Sequence, residues 1–199
     1  MSSSSSRRYH TAKKLQSAAI DLAVKNGLNN ITTEAIACAA GVSARTFFNY
    51  YPYKEAALMG PHPDYPEDAA KKFINGTGSL LADLRELISV HVSRFLHERE
   101  MLGHLLKLSE TDPKLTALRN NAVLARRGKM AELLQQRIPE ADPRMIAILA
   151  SAIIAATNNA TQSWACGTSE DFVDVAMENL SLILPAARLL APEEGATAD

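Results

Sequence analysis

Residues 32–51 read TTEAIACAAGVSARTFFNYY, and residues 52–55 continue with PYKE. One of the two threonines at the start can cap a short helix, because a threonine hydroxyl accepts a hydrogen bond from a backbone N–H of the first turn. Gly41 stands where that helix must end, since glycine takes a left-handed conformation without steric cost. Ser43 can cap the next helix. The stretch therefore predicts a helix, a tight turn and a second helix.

This order is that of the helix-turn-helix, whose second helix lies in the major groove of DNA. An ordinary helical hairpin with a glycine turn has the same periodicity, so the spacing alone leaves both readings open. Several residue types at fixed offsets carry more information, and they are Ile36-Ala37, Ala40-Gly41-Val42-Ser43, Thr46-Phe47-Phe48, Tyr50-Tyr51 and Lys54-Glu55. Over residues 8–59 the chain resembles the DNA-binding domain of the tetracycline-repressor (TetR) family of transcriptional regulators.

The resemblance implies which residues contact DNA. In that family the contacts come from the start of the second helix, from the start of the recognition helix and from the lysine that follows it. Carried onto this sequence, the contact residues are Thr33, Ser43, Ala44, Arg45, Thr46, Phe48, Asn49, Tyr50 and Lys54.

The chemistry of these side chains agrees with that role. Arg45 can donate two hydrogen bonds to guanine, Asn49 can pair with adenine, and the hydroxyl groups and the lysine suit phosphate oxygens. Phe48 departs from the commoner family tyrosine and lacks a hydroxyl for a phosphate. It can stack on a base, contact a thymine methyl group, or belong to the core. Tyr53 departs as well, because tyrosine cannot cap the helix that follows it.

Charge is distributed unevenly along the chain. Residues 1–59 hold seven lysines and arginines against three acids, a net charge of +4, whereas the whole chain has a net charge of −1. A basic first segment on an acidic body suits a protein that meets phosphate with one end. The basic residues before and in the first helix are candidate phosphate or minor-groove contacts, or a solubilising tail, and they are Arg7, Arg8, Lys13 and Lys14.

Helical periodicity and capping signals recur along the chain, and the sequence predicts an all-α fold without strands or repeats. The first helix is expected over residues 9–26, and Phe47 and Tyr51 share the inward face of the recognition helix. Further helix starts are indicated by Pro66, Ser79, Asp112-Pro113, Asp142-Pro143 and Thr168.

Four segments follow from this reading. Residues 1–59 are expected to form a three-helix helix-turn-helix domain that begins with a disordered arm over 1–7. This polar arm is not expected to be a signal peptide, because no apolar core follows it. Residues 60–78, which are rich in proline, form a linker with a short helix over 67–75. Residues 79–191 form a helical ligand-binding and dimerisation bundle, and residues 192–199 form a disordered tail.

The helix expected over 145–166 is apolar nearly all round in its first half, so several of its sides must be covered. Together with the last helix it predicts a homodimer through a symmetric four-helix interface, as the resemblance also implies. Two recognition helices about 34–36 Å apart would then bind a near-palindromic operator.

Polar and aromatic residues on the body helices are candidates for lining a small-molecule pocket, and they are His91, Phe95, His104, Arg126, Asn158, Gln162 and Trp164. The alternative for each is a polar stripe or a hydrogen bond across a dimer. His97, Glu100 and His104 have the spacing of metal ligands on one helix face, but a solvated face is the preferred interpretation. No metal or cofactor is expected.

These features together predict a cytoplasmic one-component transcriptional regulator, most simply a repressor, whose partners are a double-stranded DNA operator and a small-molecule effector. Two cysteines make no disulfide framework, and no uncharged apolar run reaches membrane-spanning length. No catalytic motif is found, so the chain is not expected to be an enzyme. The alternative is a helical-bundle small-molecule binding protein or enzyme that does not bind DNA.

Overall fold

The structure is a computed structural model, which describes the backbone of residues 3–61 and 63–190 and the side chains from residue 7 onward. This part of the chain is helical and contains no strand, so the predicted all-α fold is confirmed. The helices are α1 (Ser3–Asn26), α2 (Thr33–Ala39), α3 (Ala44–Phe48), α4 (Lys54–Met59), α5 (Glu67–Ile74), α6 (Leu80–Val92), α7 (Arg99–Thr111), α8 (Pro113–Arg137), α9 (Pro143–Ala165), α10 (Phe172–Ser181) and α11 (Ile183–Arg188). Two 3₁₀ helices, Leu28–Asn30 and Ser93–Glu98, precede α2 and α7.

Most predicted helix starts agree with the structure, but two differ. Helix α1 begins at Ser3, so residues 3–7 are helical where the sequence predicted an arm; no glycine or proline interrupts them. Helix α10 is capped by Asp171, whose carboxylate accepts from the N–H of Asp174 at 2.9 Å, and not by Thr168. The hydroxyl of Thr168 instead donates to the carbonyl of Ser163 at the end of α9. The predicted tail over 192–199 lies outside the described residues.

Contacts divide the chain into two units. The first unit contains the residues up to Asp64 and also Glu98–Ala125, and the second contains Tyr65–His97 and the residues from Arg126 on. The core of the first unit is formed by α1–α4, and Leu105 of α7 and Leu115 of α8 are buried in it. The boundaries predicted from the sequence follow the chain and do not include this return of α7 into the first unit.

A buried polar cluster joins three segments of the first unit. The ammonium of Lys13 lies 2.7 Å from a carboxylate oxygen of Glu98 and 3.0 Å from the side-chain oxygen of Gln16. Gln16 in turn donates to the carbonyls of Leu58 and Met59 at the end of α4. Lys13 was a candidate phosphate contact, but the structure gives its charge an internal partner.

Gly60 follows α4 and lies directly against this cluster. Its φ of +65° favours glycine, and a Cβ atom there would meet the side-chain amide of Gln16. Glycine at this position therefore allows the end of α4 to lie close to Gln16 of α1.

The second unit is built around α6, α9 and α10, and its core residues include Leu87, Ile88, Ile153 and Leu180. Asp142 caps α9 and Pro143 occupies its first turn, as predicted. Trp164 is buried in α9 and stacks on Phe172 of α10, with ring centroids 4.6 Å apart and planes 9° apart. This stack holds the ends of the two helices together.

Apolar side chains of α9 are exposed in the single chain. Met145 is 67% exposed and Ile148 72% exposed, and Leu184, Leu189 and Leu190 at the end of the described chain are exposed as well. By length and hydropathy α9 could cross a membrane, but core helices of soluble proteins meet the same test, so this is weak evidence for a span. Only 33% of its most apolar window is buried. The exposed apolar face of α9 is therefore expected to be buried against another protein surface.

The first prediction concerns the buried cluster. Replacing Lys13 by methionine removes a charged partner of a carboxylate that is only 7% exposed, so we expect the free energy of unfolding to fall by about 3 kcal/mol. Urea denaturation of the full chain measures this change. Lys14→Met, at an exposed position on the same helix, is the control and should change stability by less than about 0.5 kcal/mol. Equal effects of the two substitutions would contradict a structural role for Lys13.

Candidate nucleic-acid interface

The turn between α2 and α3 is closed by local hydrogen bonds. Thr32 caps α2 by accepting from the N–H of Ala35 at 3.1 Å, and Ser43 caps α3 by accepting from the N–H of Thr46 at 3.0 Å. Between them Gly41 has a φ of +69°, the left-handed conformation that the sequence predicts for this position. The N–H of Val42 donates to the carbonyl of Ala37 at 2.9 Å. The predicted helix-turn-helix is therefore present.

Two aromatic side chains fix α3 to the rest of the first unit. Phe47 is fully buried and Tyr51 is 7% exposed, which confirms their predicted inward positions. The phenol of Tyr51 donates to the carbonyl of Ala12 in α1 at 3.2 Å. Burial raises the pKa of this phenol well above its usual value, so it stays protonated and remains a donor.

The opposite face of α3 is open to solvent. Arg45, Phe48 and Asn49 are exposed and are spaced at i, i+3 and i+4, so they share one side of the helix. Phe48 is 53% exposed, which excludes a core position. Its ring meets Phe47 edge to face with centroids 5.4 Å apart, and this contact fixes its direction. A guanidinium, an aromatic ring and an amide are thus presented together.

The remaining predicted contacts flank this face, and several already have protein partners. The hydroxyls of Ser43 and Thr46 lie 2.9 Å apart within the cap, and Thr33 donates to a carboxylate oxygen of Glu34 at 3.2 Å. Ala44 is half-buried at the first position of α3. The ammonium of Lys54 donates to the carbonyls of Leu28 and Ile31 at 2.8 and 3.1 Å.

Tyr50 connects the flank of α3 to the start of α1. The guanidinium of Arg8 lies 5.5 Å from the centroid of its half-buried ring. A cation at this distance is attracted by the face of the ring. Arg8 is thereby held next to the recognition helix, whereas the sequence left it open between a DNA contact and a tail.

The predicted ligand residues do not all meet. His91 of α6 contacts two rings, and its centroid lies 4.6 Å from that of Tyr65 and 5.3 Å from that of Phe95. The guanidinium of Arg126 in α8 donates to the side-chain oxygen of Asn158 in α9 at 2.8 Å. The positive charge of Arg126 lowers the pKa of both His91 and Tyr65, so it lies near them. Five side chains therefore share one region of the second unit, and they are Tyr65, His91, Phe95, Arg126 and Asn158.

The other three candidates lie elsewhere. His104 belongs to α7 in the first unit, Gln162 is exposed, and Trp164 is engaged with Phe172. The sequence reading missed Tyr65, which lies in the proline-rich linker. Its one available signal was a large aromatic residue in a linker, since such residues are commonly buried.

Two further features of the described residues bear on ligands. A small pocket with room for about one water molecule lies between α5 and α6, and it is lined by Ala69, Lys72, Phe73, Asp83, Glu86 and Leu87, none of which was predicted. Within residues 3–61 and 63–190, no group of three histidine, cysteine or acidic side chains has the arrangement of a metal site.

Comparison with known proteins identifies the helix-turn-helix. Residues 15–58 match the family model for bacterial regulatory proteins of the tetR family. Residues 15–58 therefore carry the DNA-binding domain of the TetR family. The chain is accordingly a DNA-binding, helix-turn-helix transcriptional regulator with an all-α fold. Among curated protein sequences no significant match was found.

Solved structures of TetR-family regulators are similar over nearly the whole chain. FadR of Thermus thermophilus, a TetR-family transcriptional repressor in complex with lauroyl-CoA, is 25% identical with a TM-score of 0.55 and covers 94% of this chain and 99% of its own. FadR of Bacillus halodurans, a fatty acid degradation regulator, is 18% identical with a TM-score of 0.58 and coverage of 89% and 96%. A putative regulator from Mesorhizobium loti is 14% identical with a TM-score of 0.54 and coverage of 90% and 98%.

The exposed ring of this TetR-family domain gives the second prediction. If Phe48 contacts a thymine methyl group, replacing thymine by uracil in the half-sites of a bound duplex removes that methyl and nothing else. We expect wild-type affinity to fall about fourfold per contacted methyl, because burying one such group contributes about 0.8 kcal/mol. Fluorescence anisotropy with the paired duplexes measures the change.

The matched control for this prediction is the variant Phe48→Ala. This variant lacks the ring that would contact the thymine methyl group, so its affinity should be the same for the thymine and uracil duplexes. Equal sensitivity of the wild type and the variant would contradict a methyl contact by Phe48.

Proposed function

We propose that this TetR-family protein is a one-component repressor, which binds a near-palindromic operator as a homodimer and responds to a small-molecule effector. The observation that carries the proposal is the two-sided character of α3. Phe47 and Tyr51 are buried on one side, while Arg45, Phe48 and Asn49 are exposed on the other. A rigidly seated helix with such a face suits insertion into a major groove.

Each exposed side chain has a role in this proposal. Arg45 donates to guanine O6 and N7, Asn49 pairs with adenine N6 and N7, and Phe48 contacts a thymine methyl group. Phosphate contacts set the register without reading sequence, and they are made by Thr33, Ser43, Thr46, Tyr50 and Lys54. Lys54 has one donor left for a phosphate, because two of its three ammonium donors are directed to the carbonyls of Leu28 and Ile31. Its main role is therefore to hold α4 against the segment before α2.

The uncovered face of α9 supports the homodimer. Met145 and Ile148 are exposed, and so are Leu184, Leu189 and Leu190 at the end of the described chain. A second copy that packs α9 and the helices after it against their equivalents would cover both sets in an isologous interface. Two recognition helices would then meet successive major grooves, which is why the operator is expected to be near-palindromic.

The effector acts by binding more tightly to one of two relative positions of the DNA-binding domains in the dimer. A ligand can shift an equilibrium only by the difference in its affinity for the two states, and a shift from 1:99 to 99:1 requires about 5.5 kcal/mol. Because FadR of Thermus thermophilus was solved with lauroyl-CoA, that compound is the first to test for release of DNA. The protein acts where its DNA is, in the cytoplasm, and it has no catalytic role.

The third prediction separates this function from a ligand-binding bundle that does not bind DNA. A duplex selected from genomic DNA should be shifted by the full chain on a gel, with affinity that falls steeply as salt rises. Arg45→Ala should weaken binding by about 2 kcal/mol, or roughly thirtyfold, because a bidentate guanine contact is lost. Arg85→Ala, at an exposed position on α6, is the control and should bind as the wild type.

The fourth prediction tests the dimer. Sedimentation of the full chain at micromolar concentration should give the mass of two copies. Ile148→Glu places a charge in the proposed interface and should give a monomer, whereas Leu81→Glu, which alters an exposed leucine on α6, should remain a dimer. A monomeric wild type would remove the case for paired half-sites.

A further inference from the structure

The side chains of Tyr65, His91, Phe95, Arg126 and Asn158 form what we call the His91 cluster. We propose that the His91 cluster binds the carboxylate of an apolar organic acid, with the guanidinium of Arg126 and the imidazole of His91 holding the carboxylate and the rings of Tyr65 and Phe95 contacting the apolar part. The inference rests on the proposed function in one respect, since it names the chemical class of the effector.

The imidazole offers an unused polar atom. Nδ1 of His91 is buried and has no hydrogen-bond partner among the described residues. A buried polar atom without a partner is unfavourable, and the exceptions in folded proteins call for an explanation. An oxygen atom of a bound ligand would accept from this nitrogen in the tautomer that carries its proton at Nδ1.

The surroundings of His91 favour an anion. Burial, followed by the positive charges of Arg94 and Arg126, lowers the pKa of His91 to about 4. Among the described residues, the influences on this pKa include no carboxylate, which would raise it. The imidazole is therefore neutral at neutral pH and lies in a positive field. Such a site disfavours a cationic ligand and favours an anionic one.

Arg126 is held in position for this role. The bond from its Nη2 to the side-chain oxygen of Asn158 at 2.8 Å joins α8 to α9 and orients the planar guanidinium. A guanidinium carries five donors in a fixed fork that matches the two oxygens of a carboxylate. The same charge opposes the effect of burial on Tyr65, whose pKa burial raises to about 12, so the phenol is a neutral donor nearby.

The rings determine what accompanies the carboxylate. Tyr65 and Phe95 both contact the His91 ring, with planes tilted by 45° and 65° to the imidazole. Together they present aromatic surface beside the charged groups. An acid with an aromatic or aliphatic body matches both parts of the cluster, whereas a small inorganic anion would leave the rings without contact.

The test is calorimetric titration of the full-length protein with two matched pairs of compounds, phenylacetate with phenylacetamide and octanoate with octanamide. Each pair differs only in carboxylate against amide, and the two pairs separate an aromatic from an aliphatic body. We expect at least one carboxylate to bind about tenfold or more tightly than its amide. Absence of binding by both carboxylates at millimolar concentration, or equal binding within both pairs, would overturn the proposal.

Variants locate the binding in the cluster. Arg126→Gln should abolish the preference for carboxylate over amide. His91→Phe keeps a ring at this position and should weaken binding of the carboxylate severalfold. Arg127→Gln, at the exposed neighbouring position, is the control and should bind as the wild type. Should Arg126→Gln fail to fold by circular dichroism, Arg126→Lys decides instead, because it keeps the charge without the fork and should bind the carboxylate more weakly. Wild-type affinity in a folded Arg126 variant would place the ligand elsewhere and refute the assignment.

Gel shifts of the ligand-free proteins keep this inference separate from the proposed function. A protein that shifts DNA and binds no carboxylate refutes the ligand class alone. A protein that binds carboxylate and shifts no DNA refutes the repressor proposal, and the cluster remains a carboxylate site.

Discussion

The burial of Phe47 and Tyr51 in the core of the first unit is the constraint on which the proposed DNA-binding surface depends. A recognition helix of five residues is too short to be stable by itself, so its position must come from tertiary packing. The buried rings and the bond from Tyr51 to α1 supply that packing. Because residues three and four apart share one face of a helix, fixing Phe47 and Tyr51 inward places Arg45, Phe48 and Asn49 on the outward face.

Electrostatics in the first unit serve structure as well as DNA. The net charge of +4 over residues 1–59 includes Lys13, which is paired with Glu98, and Lys54, which binds two backbone carbonyls. The charge available to phosphate is therefore smaller than the sequence suggests. The pairing also has a structural consequence, because it joins the segment that begins at Glu98 to the same unit as the recognition helix.

Features that local sequence encodes were predictable. Gly41, Ser43 and the Asp142-Pro143 pair act within one turn of their own position, and the structure has each in its predicted role. Features that depend on residues distant in sequence were not. The internal partners of Lys13 and Lys54 lie 85 and 23–26 residues away, and the pairing of Tyr65 with His91 joins a linker to a helix. Periodicity predicts an apolar face on a helix but not the core in which that face is buried. Helix α7 follows the linker in sequence, yet its Leu105 is buried in the core of the first unit.

A crystal structure of the protein with a selected duplex tests the central claim most directly. The account predicts two copies related by a two-fold axis, with α3 of each in successive major grooves, Phe47 and Tyr51 still buried, and Arg45 and Asn49 within hydrogen-bond distance of base edges. A complex in which α3 lies away from the duplex, or in which Arg45, Phe48 and Asn49 all face solvent, would contradict it.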